Sequence, residues 1–365
     1  MKHTDPMDTT VPTSPLRWGL VGYGAGGRIF HRPLLTSAHE LALTAVVTAS
    51  PERVAQVRAD LPDTQVVSRL SDLADMGVVG VTITTPTATH TDVAHEALAL
   101  GLHVVVDKPF ALSAAAAAEV LSHAAEVNRL AVPYQNRRFD SDFRTLRALV
   151  ARGDLGAVHG FGSRIERSRP VKSSWHSADA SHGGGVLFDL GPHLLDQALV
   201  LWGPVRAVFA DFQQVRPGVA AEDVVTIHLE HTNGVRSDIV ASLASAAAGP
   251  RFLVNGSRAG FVSYGFDGQE AQLKAGLSPA DLGAGWGVEP ESAWGHLFLG
   301  DDEVAVPSLP GAWDRFYPRV ARAILGGGPP PVTGREALVL ATVLDACRES
   351  ATQGQVVELT PGVHL

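Results

Sequence analysis

One six-residue stretch constrains this chain more than any other. Gly22-Tyr23-Gly24-Ala25-Gly26-Gly27 fits the pattern G-x-G-x-x-G, and it sits between a strand-like run, Leu16 to Val21, and a helix-length stretch reaching about Ser37. A glycine triplet alone is weak evidence. Between a strand and a helix it reads as the turn of a dinucleotide-binding βαβ unit. Gly22 permits the tight turn, Gly24 lets the backbone approach a pyrophosphate, and Gly27 allows close helix–strand packing. The helix N-terminus adds N–H groups and positive dipole for the anion.

The rest of the first 135 residues agrees with that unit. Leu43 to Thr48, Val78 to Ile83 and His103 to Val106 read as further strands. Thr91 to Leu100 has helical spacing and stops at Gly101, and Ser113 caps an alanine-rich helix start. Strands alternating with helices predict parallel pairing through crossovers. The pattern changes after about Tyr134. Val158 to Ile165, Val205 to Phe212, Val224 to Leu229, Ser237 to Leu243, Phe252 to Val254 and Gly260 to Tyr264 read as strands with few helices between them, which predicts an antiparallel or mixed open sheet. Gly265 to Gly300 reads as a long, weakly periodic excursion. Two helices, about Trp313 to Leu325 and Arg335 to Ala351, close the chain.

The expected division is therefore a disordered polar leader over 1–15, a doubly wound Rossmann domain over 16–135, and a second domain with a large open, mostly antiparallel sheet over 136–365, an α/β protein overall. Composition removes several function classes. Lys and Arg number 29 against 38 Asp and Glu, a formal net charge of −9, which is poor for nucleic-acid binding. The single cysteine, Cys347, excludes an internal disulfide and a cysteine-cluster zinc site. No apolar run is long enough to span a membrane. A cytoplasmic protein with a small-molecule substrate and no nucleic-acid, membrane or metal partner is the expectation.

Dinucleotide sites of this kind usually carry an acidic residue about 20 residues past the turn, where it accepts from the ribose 2′-hydroxyl of NAD. Here the segment is Thr48-Ala49-Ser50-Pro51-Glu52-Arg53, with no carboxylate at the strand end. Ser50 can donate a hydrogen bond, and Arg53 matches a 2′-phosphate in charge and geometry. NADP is favoured over NAD, the plain alternative being that Arg53 is a solvated helix residue.

Asp107-Lys108-Pro109 follows the strand His103 to Val106, at the carboxyl end where ligands gather in open parallel sheets. A Lys–Pro bond can be cis, which would aim the amine into the cleft. With four lysines against 25 arginines, a lysine here is informative. Further on, Asp189 and His193 are four residues apart and share a face if helical, although Pro192 suggests that a helix begins or kinks there. An amine, an imidazole and a carboxylate form an acid–base set for a hydroxyl proton, with Asp189 either orienting His193 or partnering Lys108. The chain has no G-x-S-x-G elbow and no H-E-x-x-H pair, which disfavours acyl transfer and zinc hydrolysis.

These marks, with Thr84-Thr85-Pro86 and His90, Asn136-Arg137-Arg138-Phe139 and Ile29-Phe30-His31-Arg32-Pro33-Leu34, resemble the Gfo/Idh/MocA oxidoreductase family over nearly the whole chain. The resemblance is nearest to the branch of NADP-dependent scyllo-inositol dehydrogenases. It implies hydride transfer between NADP(H) and a secondary hydroxyl or ketone of a cyclitol or sugar. Lys108, Asp189 and His193 would be catalytic, and Gly22, Gly24, Gly27, Ser50, Arg53, Thr85, Pro86, His90, Lys108 and Gln135 or Asn136 would hold the cofactor. It also implies a homodimer or homotetramer through the exposed sheet face of the second domain. The family motif carries Glu where this chain has Asp107. Arg138, Asp140, Arg167, Arg169, Trp175 and His176 are the candidate substrate contacts. Three other readings stay open: reduction of an aldose, dihydrodiol or tetrapyrrole, a non-catalytic NADP-sensing regulator, and an NAD-dependent glycoside hydrolase of this fold.

Overall fold

The computed structural model describes residues 14–171, 179 and 182–359. The expected leader lies almost wholly outside the described residues, and Trp175 and His176 lie outside them altogether.

The first sheet contains β1 (Leu16–Val21), β2 (Leu41–Val47), β3 (Gln65–Val67), β4 (Gly80–Ile83), β5 (His103–Val106) and β6 (Ala131–Pro133). Its order is β3-β2-β1-β4-β5-β6 and every pairing is parallel. This is the doubly wound order whose direction reverses between β1 and β4, and ligands bind outside the carboxyl ends of the strands at that reversal. Central strands are covered on both faces, so they are apolar throughout: all of β4 is buried, as are Val104, Val105 and Val106 of β5. The crossovers run through α1 (Arg32–Ser37), α2 (Pro51–Asp60), α3 (His90–Ala99) and α4 (Ala114–Glu126). The glycine turn does not open a regular α-helix. Gly26–His31 winds as a wider π-type turn and α1 follows it, with Pro33 in its first turn.

The second sheet is built on β7 (Val158–Glu166), β8 (Val205–Gln213), β9 (Val224–His231), β10 (Arg236–Ser242), β11 (Phe252–Gly256), β12 (Gly260–Ser263), β13 (Gly295–Leu299), β14 (Asp302–Val306) and β15 (Val357–Glu358). The order is β14-β13-β12-β11-β7-β10-β9-β8-β15, with β7–β10 parallel and the remaining pairs antiparallel. Burial along β9 alternates strictly, so one face packs and the other stays open. On the packed face lie α5 (Ser141–Arg152), α6 (Val186–Trp202) and α10 (Gly334–Gln353). The stretch expected to be an irregular excursion holds α7 (Gln269–Lys274), α8 (Pro279–Leu282) and the first strand, β13, of the β13–β14 hairpin. That hairpin was hidden because Gly300, at φ 63°, supplies its turn inside a glycine-rich segment.

Two elements bind the domains together. Helix α6 is apolar nearly all round and buried over most of its length, with Pro192 in its interior rather than at its start. Helix α9 (Phe316–Ile324) lies between β14 and β15 of the second sheet in sequence yet packs with Trp313 into the same core as Trp18 and Leu20 of β1. No helix among the described residues is long and apolar enough to cross a membrane.

Arg138 was expected to contact substrate, and the structure corrects this. Its guanidinium forks onto Asp196 of α6, Nε to Oδ2 at 2.7 Å and Nη2 to Oδ1 at 2.6 Å, while Nη1 reaches Glu336 of α10 at 2.5 Å. Glu336 is at once the capping-box carboxylate of α10, accepting from Thr333 N at 2.7 Å. Asp140 is likewise internal: it is 1% exposed, accepts from Trp313 Nε1 at 2.7 Å and pairs with Arg137 at 3.1 Å. Both side chains brace the domain seam. Removing one member of a buried pair costs about 3–5 kcal/mol, because the remaining charge stays buried. Arg138→Leu should therefore lower the denaturant midpoint by the equivalent of about 3–5 kcal/mol at unchanged m value, measured by urea unfolding.

Candidate active site

The glycine turn has the shape its spacing predicts. Gly22 takes φ 91°, and a Cβ there would meet Thr84 O at 3.0 Å. A Cβ on Gly27 would stand 2.4 Å from Gly22 O, so only glycine lets the turn close on itself. At Gly24 a Cβ would meet nothing within 4 Å. That open cradle beside the first βα turn is where a pyrophosphate fits.

Other candidate cofactor residues ring the carboxyl edge of the first sheet. Ser50 caps α2, its side chain accepting from Arg53 N at 3.4 Å. The Arg53 guanidinium rests on its own helix, donating to Gln56 Oε1 at 2.9 Å, and the side chain is 37% exposed. Glu52, 71% exposed on the same helix turn, places Oε1 3.8 Å from the Arg53 guanidinium, a loose solvent-exposed pair that a 2′-phosphate would have to displace. His90 is buried with Nδ1 2.9 Å from Pro109 O and Nε2 2.9 Å from Thr85 O. It thus ties the loop after β4, with Thr85 and Pro86, to the loop after β5. Burial lowers its pKa, against the pull of Asp107 and the two carbonyls. Gln135, at the end of β6, is 3% exposed and its Oε1 has no partner, an acceptor free for a donor such as a carboxamide. These features fit a nicotinamide dinucleotide.

Lys108 and α6 meet across the domain seam. The Lys108–Pro109 bond is cis. Lys108 Nζ donates to both Asp189 O and Asp189 Oδ1, each at 2.7 Å. The side chains are 19% and 25% exposed, so the pair faces a partly open cleft. His193 lies one turn on along α6, 6% exposed, with Nδ1 buried and unpartnered. Of the two roles expected for Asp189, partnering Lys108 is the one the geometry realises. Burial first, then the positive charges of Arg137, Lys108, Arg251 and Arg167, pushes His193 well below its ordinary pKa, so the ring is neutral at neutral pH.

Asp107 sits directly before the lysine. Its Oδ1 accepts from Lys108 N at 2.7 Å, and its Oδ2 would stand 3.2 Å from a Cβ on Gly26. Burial works against its charged form, but His31, Lys108 and His90 outweigh it and hold the carboxyl below its usual range. His31 is fully buried, with Nε2 3.5 Å from Asp107 Oδ2 and Nδ1 2.6 Å from Tyr317 Oη. Its place behind the site was not foreseen. The only hint is its position on the helix that the glycine turn opens.

The substrate side is assembled from the second domain. Arg167, just past β7, lies over the Phe266 ring at 4.5 Å. Arg169 is exposed and bonds through its backbone, N to Leu243 O at 3.0 Å. Arg137 donates to Glu270 at 2.6 Å, and Arg251 donates to Ser163 at 2.7 Å and Gln197 at 2.6 Å. Burial pulls the Glu270 carboxyl up, but Arg137 and Lys274 outweigh it and hold the group at about 2. Arg251, Phe266 and Glu270 were not legible beforehand, since Arg251 and Phe266 lie in connecting segments and Glu270 on the short helix α7, none with a motif of its own.

Comparison with known proteins agrees with this architecture. Residues 16–134 match the model of the oxidoreductase family with an NAD-binding Rossmann fold, and residues 143–262 match the GFO/IDH/MocA C-terminal domain. The chain is similar to the uncharacterized oxidoreductase YdgJ of Escherichia coli K12, 36% identical over 344 residues, covering 92% of this chain and 96% of that one. It is similar to scyllo-inositol 2-dehydrogenase (NADP(+)) IolW of Bacillus subtilis, 31% identical over 350 residues, covering 94% and 96%. Among solved structures, YPO2259 from Yersinia pestis superposes with a TM-score of 0.89 at 34% identity, over 96% of this chain and 99% of that one.

The two glycines give a paired test. Gly24→Ala puts a Cβ into the open cradle with no protein atom within 4 Å, so the fold should keep its melting temperature while NADPH affinity falls at least about tenfold, roughly 1.4 kcal/mol by titration. Gly27→Ala drives a Cβ into the turn and should lower stability itself, read as a drop in melting temperature.

Proposed function

The chain belongs to the Gfo/Idh/MocA family of NAD(P)-binding oxidoreductases, and from that premise we propose that it transfers hydride between NADP(H) and the secondary hydroxyl or ketone of a cyclitol or sugar, of the scyllo-inositol kind. The observation that carries this reading is the Lys108–Asp189 pair, 2.7 Å, with the neutral His193 one helical turn away at the domain seam. The activity named for the IolW relative, an NADP-dependent scyllo-inositol 2-dehydrogenase, supports the substrate class and the NADP preference. So does the strand end at β2, where Ser50 caps α2 and the Arg53 guanidinium is 37% exposed, paired only loosely with Glu52 at 3.8 Å.

The cofactor, when bound, supplies the hydride chemistry. Ser50 and Arg53 would hold its 2′-phosphate, Gly22 to Gly27 its pyrophosphate, and Gln135 its carboxamide. The remaining work falls to side chains of this chain. His193, neutral through burial and surrounding cations, takes the hydroxyl proton. Lys108 stabilises the oxyanion that develops as that proton leaves. Asp189 fixes the Lys108 amine by two hydrogen bonds and so limits its reorganisation during reaction. His90 and Asp107 are positioning residues for the lysine loop. In the reductive direction the same groups act in reverse, with His193 returning the proton. A homodimer or homotetramer belongs to the same reading, supported by Phe209 at 37% and Leu253 at 39% exposure on strands of the open sheet.

Two substitutions test it. Lys108→Ala should lower turnover by about 100-fold or more while NADPH still binds, since one preorganised donor to a developing oxyanion is worth that much. Near-normal turnover would retire the assignment. Arg53→Ala should weaken NADPH by roughly 10- to 100-fold and leave NADH unchanged, because the loss is that of charge-assisted bonds to one phosphate. Equal effects on both cofactors would point instead to NAD.

A further inference from the structure

We propose that the substrate carries an anionic group, a carboxylate or a phosphate, which Arg167 binds beside the reacting hydroxyl. This rests on the dehydrogenase reading above and departs from the neutral scyllo-inositol type named there: the cyclitol or sugar is one that bears an acid group.

The cations that act on His193 are Lys108, Arg137, Arg251 and Arg167. Three of them are committed. Lys108 is paired with Asp189 at 2.7 Å. Arg137 is paired with Asp140 at 3.1 Å and Glu270 at 2.6 Å. Arg251 binds Ser163 and Gln197 and lies 3.4 Å from Asp142. Arg167 differs: among the described residues its guanidinium makes no hydrogen bond and no ion pair, and it lies over the Phe266 ring at 4.5 Å. The face of the guanidinium is thus used and its N–H edge is not. A half-buried cation without an anion is costly, and a cation–π contact offsets only part of that cost.

The carboxylates nearest in effect are already taken. Glu270 and Asp189 both act on Arg167, but Glu270 is held by Arg137 and Lys274 and Asp189 by Lys108. Arg169, two residues on, adds a second positive charge on the same stretch and makes no side-chain hydrogen bond among the described residues. The unfilled requirement is therefore for negative charge, and the planar fork of N–H donors suits a carboxylate or phosphate.

The chemistry points the same way. When His193 accepts the hydroxyl proton it becomes a cation among four others. A neutral polyol brings nothing to offset that, whereas an anion held on Arg167 lowers the positive potential where the imidazolium forms. In this arrangement Arg167 sets both specificity and the ease of proton transfer.

The test uses matched substrates with NADP+: glucose against glucuronate, glucose against glucose 6-phosphate, and myo-inositol against inositol 1-phosphate. In the wild-type protein at least one acid should exceed its neutral partner about tenfold in kcat/KM. Arg167→Gln should remove most of that preference, and Arg167→Lys should restore part of it. The carboxylate and phosphate arms tell which anion is meant. Neutral partners preferred or equal in every pair, or a Gln variant that lowers both members alike, would overturn the proposal. Should no pair turn over, calorimetric binding of glucuronate and glucose 6-phosphate to the NADP-loaded protein decides. Binding lost in Arg167→Gln upholds the anion site while the dehydrogenase reading fails, and absent or unchanged binding overturns the site.

Discussion

The ion pair between Lys108 and Asp189 is the contact on which the rest of this molecule turns. Its two members come from different sheets' domains, one from the loop after β5 and the other from the first turns of α6. An amine at 2.7 Å from a carboxylate and from a backbone carbonyl has few directions left, so the strand end and the helix must keep their mutual position for it to exist. The bracing around it serves that end. His90 joins the two cofactor-side loops, Arg138 pins α6 to α10 through Asp196 and Glu336, and Asp140 with Trp313 holds the seam from behind. Surface ion pairs contribute little, but these are buried, hydrogen-bonded on several sides, and shared between elements far apart in sequence.

The electrostatics of the site follow from the same crowding. Burial lowers the His193 pKa most, and the positive charges of Arg137, Lys108, Arg251 and Arg167 add to it. A base that must begin neutral is helped by this, while a base that must end protonated is hindered. In the proposed role of His193 as proton acceptor, the same interior favours its neutral form and would ask for compensation once it is protonated.

Much of the architecture could be read from the chain alone. The glycine turn, the alternation of β5 with helical stretches and the Asp107-Lys108-Pro109 run each place a residue at a strand end, where local spacing and function coincide. The strands of the open sheet were legible because one of their faces stays wet, which gives β9 its period of two. What could not be read was long-range. Arg138 looks like a pocket residue in sequence and is an internal strut, because nothing local announces Asp196 or Glu336 as partners. The π-type winding after Gly26 and the interior position of Pro192 also escaped, since tertiary packing overrides local preference there. Arg251, Phe266 and Glu270 reach the site only through the sheet's topology.

The return of α9 to the first sheet has a bearing on how this chain can be divided. Trp313, Phe316, Tyr317 and Val320 fill the layer beneath Trp18 and Leu20, and Tyr317 Oη reaches His31 at 2.6 Å. The nucleotide-binding half is thus finished by residues made nearly two hundred positions later. A fragment ending at residue 135 would carry an uncovered apolar wall and a histidine stripped of its phenol. Ribosomal synthesis must hold that half in waiting until the tail emerges, and exchanging one half between relatives would mean carrying α9 along with it.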